Sequence, residues 1–269
     1  MGALMKKWLP ATRLGAGVVG GLMLLVVSTA GSPARAAAHV GTLVPAPVMT
    51  RLAAISHRGL LVTLPPNNVL MSTIAGGLVH PNHPEIVYVG ADYCPYCAAL
   101  RWPLILTLLR FGSLRGLEYM RSSTTDVFAD TATFSFYHAR YQSARIDFSG
   151  YETATRTGKP LMTPPHAVRS LFNTYDAPPF AVDAGAIPFL YLNGQYIISG
   201  SPVYPEILHG DNWSGILAAL EQPANPIFQK IIPEANLLTA AFCQGMAHPP
   251  RMVCSSPGVL IARHFLPKS

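Results

Sequence analysis

The clearest pattern in the chain is a short apolar run followed by a long one. Residues 85–91, EIVYVGA, are rich in β-branched and aromatic side chains and predict a buried strand. Residues 95–111, PYCAALRWPLILTLLRF, are apolar around most of a helical circumference and predict a buried helix that stops near Gly112. Pro103 lies inside this helix and removes one backbone hydrogen bond, so a kink is expected there.

Weaker patterns surround this pair. Upstream, a helix is predicted at 47–56 and an extended run at 60–64. Downstream, strand-like segments cover 116–124, 131–141 and 144–148, and apolar residues at helical spacing predict a helix at 164–175.

The strongest local signal comes later. Residues 186–200, AIPFLYLNGQYIISG, form two short apolar runs joined by Asn193-Gly194, the dipeptide most typical of a tight hairpin. Asp211 then precedes NWSGILAALE and predicts a capped helix. The segment from Gln222 onward is rich in proline and is interpreted as a tail that carries two cysteines.

The first 36 residues form a separate unit with the order of an export signal. A basic start precedes an apolar stretch at 14–30 and the small-residue run GSPARAAA. Cleavage after this run is one outcome. The other is retention as a membrane anchor, because residues 14–34 carry no charge. Both place the rest of the chain outside the cytoplasm, either secreted or held at the outer face of the membrane.

Composition narrows the class. Half of the 269 residues are hydrophobic and only 12% are charged, so the chain is expected to fold around one principal core. The net charge of +6 is concentrated in the first 36 residues, in Lys6, Lys7, Arg13 and Arg35. The remainder is nearly neutral and has no basic stripe, which argues against nucleic-acid binding.

The four cysteines are the candidate chemistry. An even number in an exported chain favours disulfides over zinc. Cys94 falls where the buried helix begins, so unpaired N–H groups and the helix dipole favour its thiolate. Cys97 lies in the first turn, close enough to form a disulfide, and Pro95 suits the first helical position.

Several alternatives remain open for the surrounding residues. A zinc site from all four cysteines, or from Cys94 and Cys97 with His80 and His83, is disfavoured because the spacing of the second pair is unusual for zinc. Cys243 and Cys254 form either a structural disulfide or a relay that exchanges with the first pair. Asp92 either tunes the thiol or caps a loop as a solvated carboxylate. Tyr93 and Tyr96 flank the sulfur and offer an apolar surface to a substrate.

The motifs YVGADYCPYCAALRW and AIPFLYLNGQYI, in this order, resemble the thioredoxin superfamily. The Cys-Pro-Tyr-Cys sequence is similar to that of glutaredoxins and some Dsb-type proteins. Over residues 45–260 the chain looks like an uncharacterised family of exported or membrane-anchored thioredoxin-like proteins from actinobacteria and archaea. FCQGMAHPPRMVCSSPGV, late in the chain, also carries that match.

The resemblance implies an α/β fold, a central mixed sheet flanked by helices, with N- and C-terminal extensions. It implies that Ile187-Pro188 forms a cis-proline loop beside Cys94. Thioredoxins carry a buried Asp where Tyr88 stands here, so that proton shuttle is expected to be absent. The long stretch between Cys97 and Pro188 implies an insertion at about 120–175 that shapes a substrate groove.

These observations divide the chain into a signal or anchor at 1–36, an extension at 37–84, a thioredoxin-like domain at 85–222 and a tail at 223–269. The expected activity is that of an extracytoplasmic thiol–disulfide oxidoreductase acting on exported protein thiols. A membrane or soluble redox partner would recycle it, and no cofactor or metal is expected. The alternative is a non-catalytic thioredoxin-like binding module whose disulfides are structural.

Overall fold

A computed structural model describes residues 39–75, 80 and 82–268. The helices of this part are α1 (Ala46–Gly59), α2 (Pro95–Leu108), α3 (His166–Tyr175), α4 (Trp213–Ala219), α5 (Pro226–Gln244), α6 (Arg251–Cys254) and α7 (Pro257–Arg263). A 3-10 helix covers Pro205–Leu208. The strands are β1 (Ser72–Thr73), β2 (Glu85–Gly90), β3 (Ser113–Arg115), β4 (Glu118–Arg121), β5 (Ala132–Ser135), β6 (Arg140–Gln142), β7 (Asp147–Glu152), β8 (Phe189–Leu192) and β9 (Tyr196–Ser199).

Five strands form a mixed sheet in the order β1-β9-β8-β2-β7. At its centre, β2 pairs in parallel with β7 and antiparallel with β8. Two-stranded sheets, β3-β6 and β4-β5, lie outside it. Along β2 the side chains alternate: Ile86 and Tyr88 join the main core with residues of α2, while Val87 and Val89 pack with residues of α3 on the opposite face.

The chain therefore runs strand, helix, strand, helix, hairpin, helix through β2, α2, β7, α3, β8-β9 and α4. Helices on both faces of a mixed sheet make this an α/β protein, and the order is compatible with a thioredoxin-like fold. The predicted fold class is confirmed.

The insertion is arranged differently from the sequence-based expectation. Both β7 and α3 fall within 120–175, yet β7 is a strand of the main sheet and α3 covers one of its faces. The additional structure before them is β3 to β6. Chain length between the cysteine and proline motifs signals extra residues, but it does not distinguish them from elements of the sheet.

Some of the local sequence predictions are confirmed and others are wrong. In the hairpin turn, Asn193 and Gly194 have φ of 46° and 70°, as a tight turn after β8 requires. The cap of α4 is Asn212, not Asp211, because the Asn212 side chain accepts a hydrogen bond from Gly215 N at 3.0 Å. The predicted extended run at 60–64 forms no strand.

The proline-rich tail, for which no helix was predicted, contains the longest helix of the described residues. α5 spans 19 residues and packs along α2, with Thr107 Oγ1 donating to the carbonyl of Ala235 at 3.0 Å. Pro226 opens the helix, where a missing N–H costs nothing, so a proline-rich sequence is compatible with helix here. Residues 38–269 form one compact unit, which includes α1, the sheet and α5.

The hairpin turn connects distant parts of the chain. Asn193 Oδ1 accepts a hydrogen bond from His80 N at 2.9 Å, and Asn193 Nδ2 donates to the carbonyl of Gly245 at 3.3 Å. Within the described ranges, no helix is long and apolar enough to cross a membrane. The signal or anchor predicted at 1–36 lies outside them.

Candidate active site

Cys94 caps the first turn of α2. Its backbone is extended, Pro95 follows at the first helical position, and the sulfur accepts a hydrogen bond from Cys97 N at 3.1 Å. This contact occupies one of the N–H groups that a helix start leaves unpaired. The sequence-predicted placement of both cysteines is therefore the one observed.

The pKa values of the two free thiols are shifted in opposite directions. Burial raises the pKa of the Cys94 thiol, but hydrogen bonds from the Cys97 side chain and backbone, together with the charge of Arg101, outweigh it and leave the pKa below its usual value. Burial, the hydrogen bond to Cys94 and the negative charge of Cys94 raise the pKa of Cys97 well above its usual value. Of the two thiols, Cys94 is therefore the one that forms a thiolate more readily.

Cys94 is more enclosed than the sequence suggests. It exposes 5% of its surface and Cys97 none, because Tyr93, Ala154 and Ile187 pack against the pair. Cys94 is the more exposed of the two thiols, as expected if Cys94 attacks and Cys97 resolves. The exposed area of the Cys94 sulfur is nevertheless small.

The start of β8 brings the distant proline loop to the sulfur. Phe189 pairs with Val89, so the residue before β8 lies beside the loop that follows β2. The Ile187-Pro188 peptide bond is cis, and the Ile187 carbonyl lies 3.7 Å from Cys94 Sγ. The sequence predicted this juxtaposition across more than 90 residues.

A buried ion pair lies beneath the cysteines. Arg101 is on α2, four residues after Cys97, and its guanidinium donates from Nε to Glu152 Oε1 at 2.9 Å and from Nη2 to the Ala91 carbonyl at 2.9 Å. Arg101 and Glu152 are both fully buried. The sequence analysis missed both residues, although a lone arginine in so apolar a helix was an available signal.

Glu152 reaches this position through the sheet. It ends β7, where it pairs with Gly90 at the end of β2, and its Oε1 also accepts from Phe136 N at 3.2 Å. The residue after β7 continues the contact, with Thr153 N donating to the Gly90 carbonyl at 2.7 Å. The strand that supplies the carboxylate therefore also supports the loop before Cys94.

Asp92 is not a solvated loop carboxylate. It is 3% exposed, its Oδ1 lies 3.9 Å from Arg101 Nη2, and that oxygen has no hydrogen-bond partner among the described residues. Burial, opposed by the charge of Arg101, raises the pKa of Asp92 to about 6. A carboxyl group with this pKa can exchange a proton close to neutral pH, and Asp92 lies two residues before Cys94 in the chain.

Tyr88 occupies the position where thioredoxins carry a buried acid. Its ring centre lies 5.7 Å from the Arg101 guanidinium carbon, and burial raises the pKa of its hydroxyl well above the usual value. The acidic groups near the thiols come instead from Asp92 and Glu152, on different segments.

Tyr93 and Tyr96, the two predicted flanking aromatic residues, have different surroundings. Tyr93 packs against the cysteine pair. Tyr96 is 38% exposed and lies with its ring centre 6.2 Å from Phe128 and 6.3 Å from Tyr204, which is itself 59% exposed.

The other cysteines and histidines lie away from this site. Cys243 and Cys254 form a disulfide. His80 and His83 share a surface cavity with Asp147, which pairs with Glu85 at the start of β2, whereas Cys94 follows its end. A zinc site combining these histidines with Cys94 does not fit this placement, and no cluster of three metal-binding side chains occurs in the described residues.

Comparison with protein-family models finds a match to an uncharacterised family. Residues 76–244, well over half of the chain, match the family described as Domain of unknown function (DUF929). The chain belongs to this family. No curated protein and no solved structure shows a significant match.

Proposed function

We propose that the protein is an extracytoplasmic thiol–disulfide oxidoreductase that acts on protein thiols through Cys94 and Cys97. The observation that carries this proposal is the position of Cys94 Sγ, which caps α2 at 3.1 Å from Cys97 N and faces the Ile187 carbonyl at 3.7 Å. The Cys243–Cys254 disulfide supports an oxidising compartment.

In the reducing direction, the Cys94 thiolate attacks one sulfur of a substrate disulfide. A mixed disulfide forms and the other substrate sulfur leaves as a thiolate. Cys97 then loses its proton and displaces the substrate from Cys94, so the protein gains a disulfide and the substrate gains two electrons. Asp92, with its pKa near 6, is the nearby group suited to accept the Cys97 proton.

In the oxidising direction the same steps run backward. A substrate thiolate attacks Cys94 of the Cys94–Cys97 disulfide, Cys97 leaves, and a second substrate thiolate releases Cys94. The protein is then reduced, and a membrane or soluble redox partner must reoxidise it. Tyr93 and Ile187 lie beside the attacked sulfur in either direction and orient the substrate chain.

The narrow exposure of Cys94 favours a second candidate, a non-catalytic thioredoxin-like binding module. In that case Cys94 and Cys97 would react slowly with disulfides and would not cycle between the dithiol and the disulfide form. The two candidates differ in the chemistry of one sulfur, so a single set of variants separates them.

The test uses Cys97→Ser and a cysteine peptide activated as its 2-thiopyridyl disulfide. We expect Cys97→Ser to form a stable mixed disulfide with the peptide, detected by mass spectrometry, and to release 2-thiopyridone. Cys94→Ser, the matched control, should form none. In the wild type Cys97 should then expel the peptide. A Cys94 thiol that reacts no faster than an unfolded cysteine would support the binding module instead.

A further inference from the structure

A groove opens directly beside Cys94. It has a volume of about 320 Å³, within the range of small ligand sites. Tyr93 and Ile187, which pack against the sulfur, form one end, and Val168 and Phe172 of α3 form the opposite wall. The groove therefore lies between α3 and two residues that pack against Cys94.

The groove is apolar at its base and positive at its rim. Val89 and Val168 are buried beneath it, while Arg169 and Asn173 are exposed on α3. Arg169 Nη1 donates to the Pro164 carbonyl at 2.7 Å, which fixes the guanidinium at the rim. In the part of the chain that the structure describes, Arg169 forms no ion pair and no acidic side chain lines the groove.

This position has a consequence for any polypeptide joined to Cys94. In an extended chain, residues two apart point to the same side and lie roughly 7 Å from each other. When a substrate cysteine is bonded to Cys94, the side chain two residues away faces the protein beside Tyr93 and Ile187. The groove lies there.

We propose that this groove is a specificity site for an extended polypeptide substrate, which binds a bulky apolar side chain two residues from the reactive cysteine and a carboxylate beyond it. The apolar base favours the side chain, and the unpaired Arg169 charge favours the carboxylate. The inference rests on the proposed function and narrows its substrate class to such acidic, apolar segments.

The test compares activated cysteine peptides that carry Phe or Ala two residues from the cysteine, with Asp or Lys beyond it, placed on either side in separate peptides. Release of 2-thiopyridone by Cys97→Ser gives the rate. We expect Phe to raise the rate about tenfold over Ala. We expect Asp to raise it about threefold over Lys, as for an exposed ion pair.

Two exposed substitutions in the Cys97→Ser background test the groove itself. Asn173→Trp fills it and should remove the preference for Phe, whereas Thr174→Trp, on the exposed side of α3 outside the groove, should keep it. Arg169→Glu should reverse the preference for Asp, and Arg145→Glu, which makes the same charge change near the disulfide, should not.

The possible outcomes distinguish failure of the groove proposal from failure of the proposed thiol–disulfide oxidoreductase function. Equal rates for all peptides, or an unchanged Phe preference in Asn173→Trp, would overturn the groove proposal while Cys94 remains reactive. Reaction of 2,2′-dithiodipyridine at the same rate in every groove variant shows that the sulfur itself is intact. Failure of that small disulfide to react with Cys94 would remove both proposals together.

Discussion

Arg101 contributes to the lowered pKa of Cys94, together with the hydrogen bonds from Cys97. Its charge lowers the pKa of both thiols, and its guanidinium is held in place by Glu152 and by the carbonyl of Ala91. A charge buried this deeply is tolerated because the opposite charge is hydrogen-bonded to it. Arg101 is therefore a positioning residue for the thiolate.

We predict that Arg101→Leu and Glu152→Leu, made singly, each lower the free energy of unfolding by roughly 3 to 5 kcal/mol, because each leaves one buried charge unpaired. The double variant should be much closer to the wild type. In a Cys97→Ser background the double variant should also raise the pKa of Cys94, followed by the ultraviolet absorbance of the thiolate. An unchanged Cys94 titration would show that Arg101 is only structural.

The sequence predicted the positions of Cys94 and Cys97 but not the ion pair between Arg101 and Glu152. Cys94, Cys97 and Pro95 are adjacent in sequence, and their roles at a helix start follow from local rules. Arg101 meets Glu152 only because β7 pairs with β2 in the observed register, which no local pattern in the sequence specifies.

At the scale of elements, α5 carries an unusual group. Glu234 is 2% exposed in the middle of this helix, and its Oε1 has no hydrogen-bond partner among the described residues. Burial raises the pKa of Glu234 to about 8, so the carboxyl is neutral at pH 7. The protonated form is what allows this side chain to be buried in the core.

The folded-state pKa of Glu234 lies above its unfolded value, so this group stabilises the protein fully at acid pH and the contribution is lost as pH rises through 8. We predict that Glu234→Gln reduces the fall in unfolding free energy between pH 5 and pH 9 by up to about 4 kcal/mol. Denaturant unfolding at several pH values measures this.

The exposed Glu206→Gln serves as the control and should leave that pH dependence unchanged. If Glu234→Gln and Glu206→Gln give the same pH profile as the wild type, the Glu234 carboxyl is solvated in solution and α5 is packed differently there.

Element prediction succeeded where a single segment carried the signal. The hairpin turn depends on two adjacent residues, Asn193 and Gly194, and was predicted correctly. The helix α5 was not predicted within the proline-rich tail; one proline opens this helix and Pro233 is accommodated inside it. The membership of β7 in the main sheet depends on pairing with β2, which is a tertiary contact.

For the molecule as a whole, the two cysteine pairs lie at opposite ends of the fold. Cys94 begins α2, a helix about 20 Å long, whereas Phe242, next to Cys243, packs on Phe111 beyond its other end. Gly245 likewise contacts Asn193, at the end of β8 remote from Pro188. The geometry supports the structural role of the Cys243–Cys254 disulfide over a relay.

We therefore predict that Cys243→Ala combined with Cys254→Ala lowers the free energy of unfolding by about 3 kcal/mol, because a loop with a sequence separation of 11 is no longer closed. The rate of Cys94 with 2,2′-dithiodipyridine should stay within about twofold of the wild type, since distant sites act independently. A large loss of Cys94 turnover with intact folding would instead identify the second pair as a relay.

The hydrogen bonds formed by Asn193 bear on where a label can be attached to the protein. They connect the extension, the hairpin and the end of α5 at one end of the fold, opposite the end at which Cys94 lies. Met252, 89% exposed and two residues before Cys254, lies at the same end as these hydrogen bonds. A fluorophore or solid support attached at this position would lie at the opposite end of the fold from Cys94.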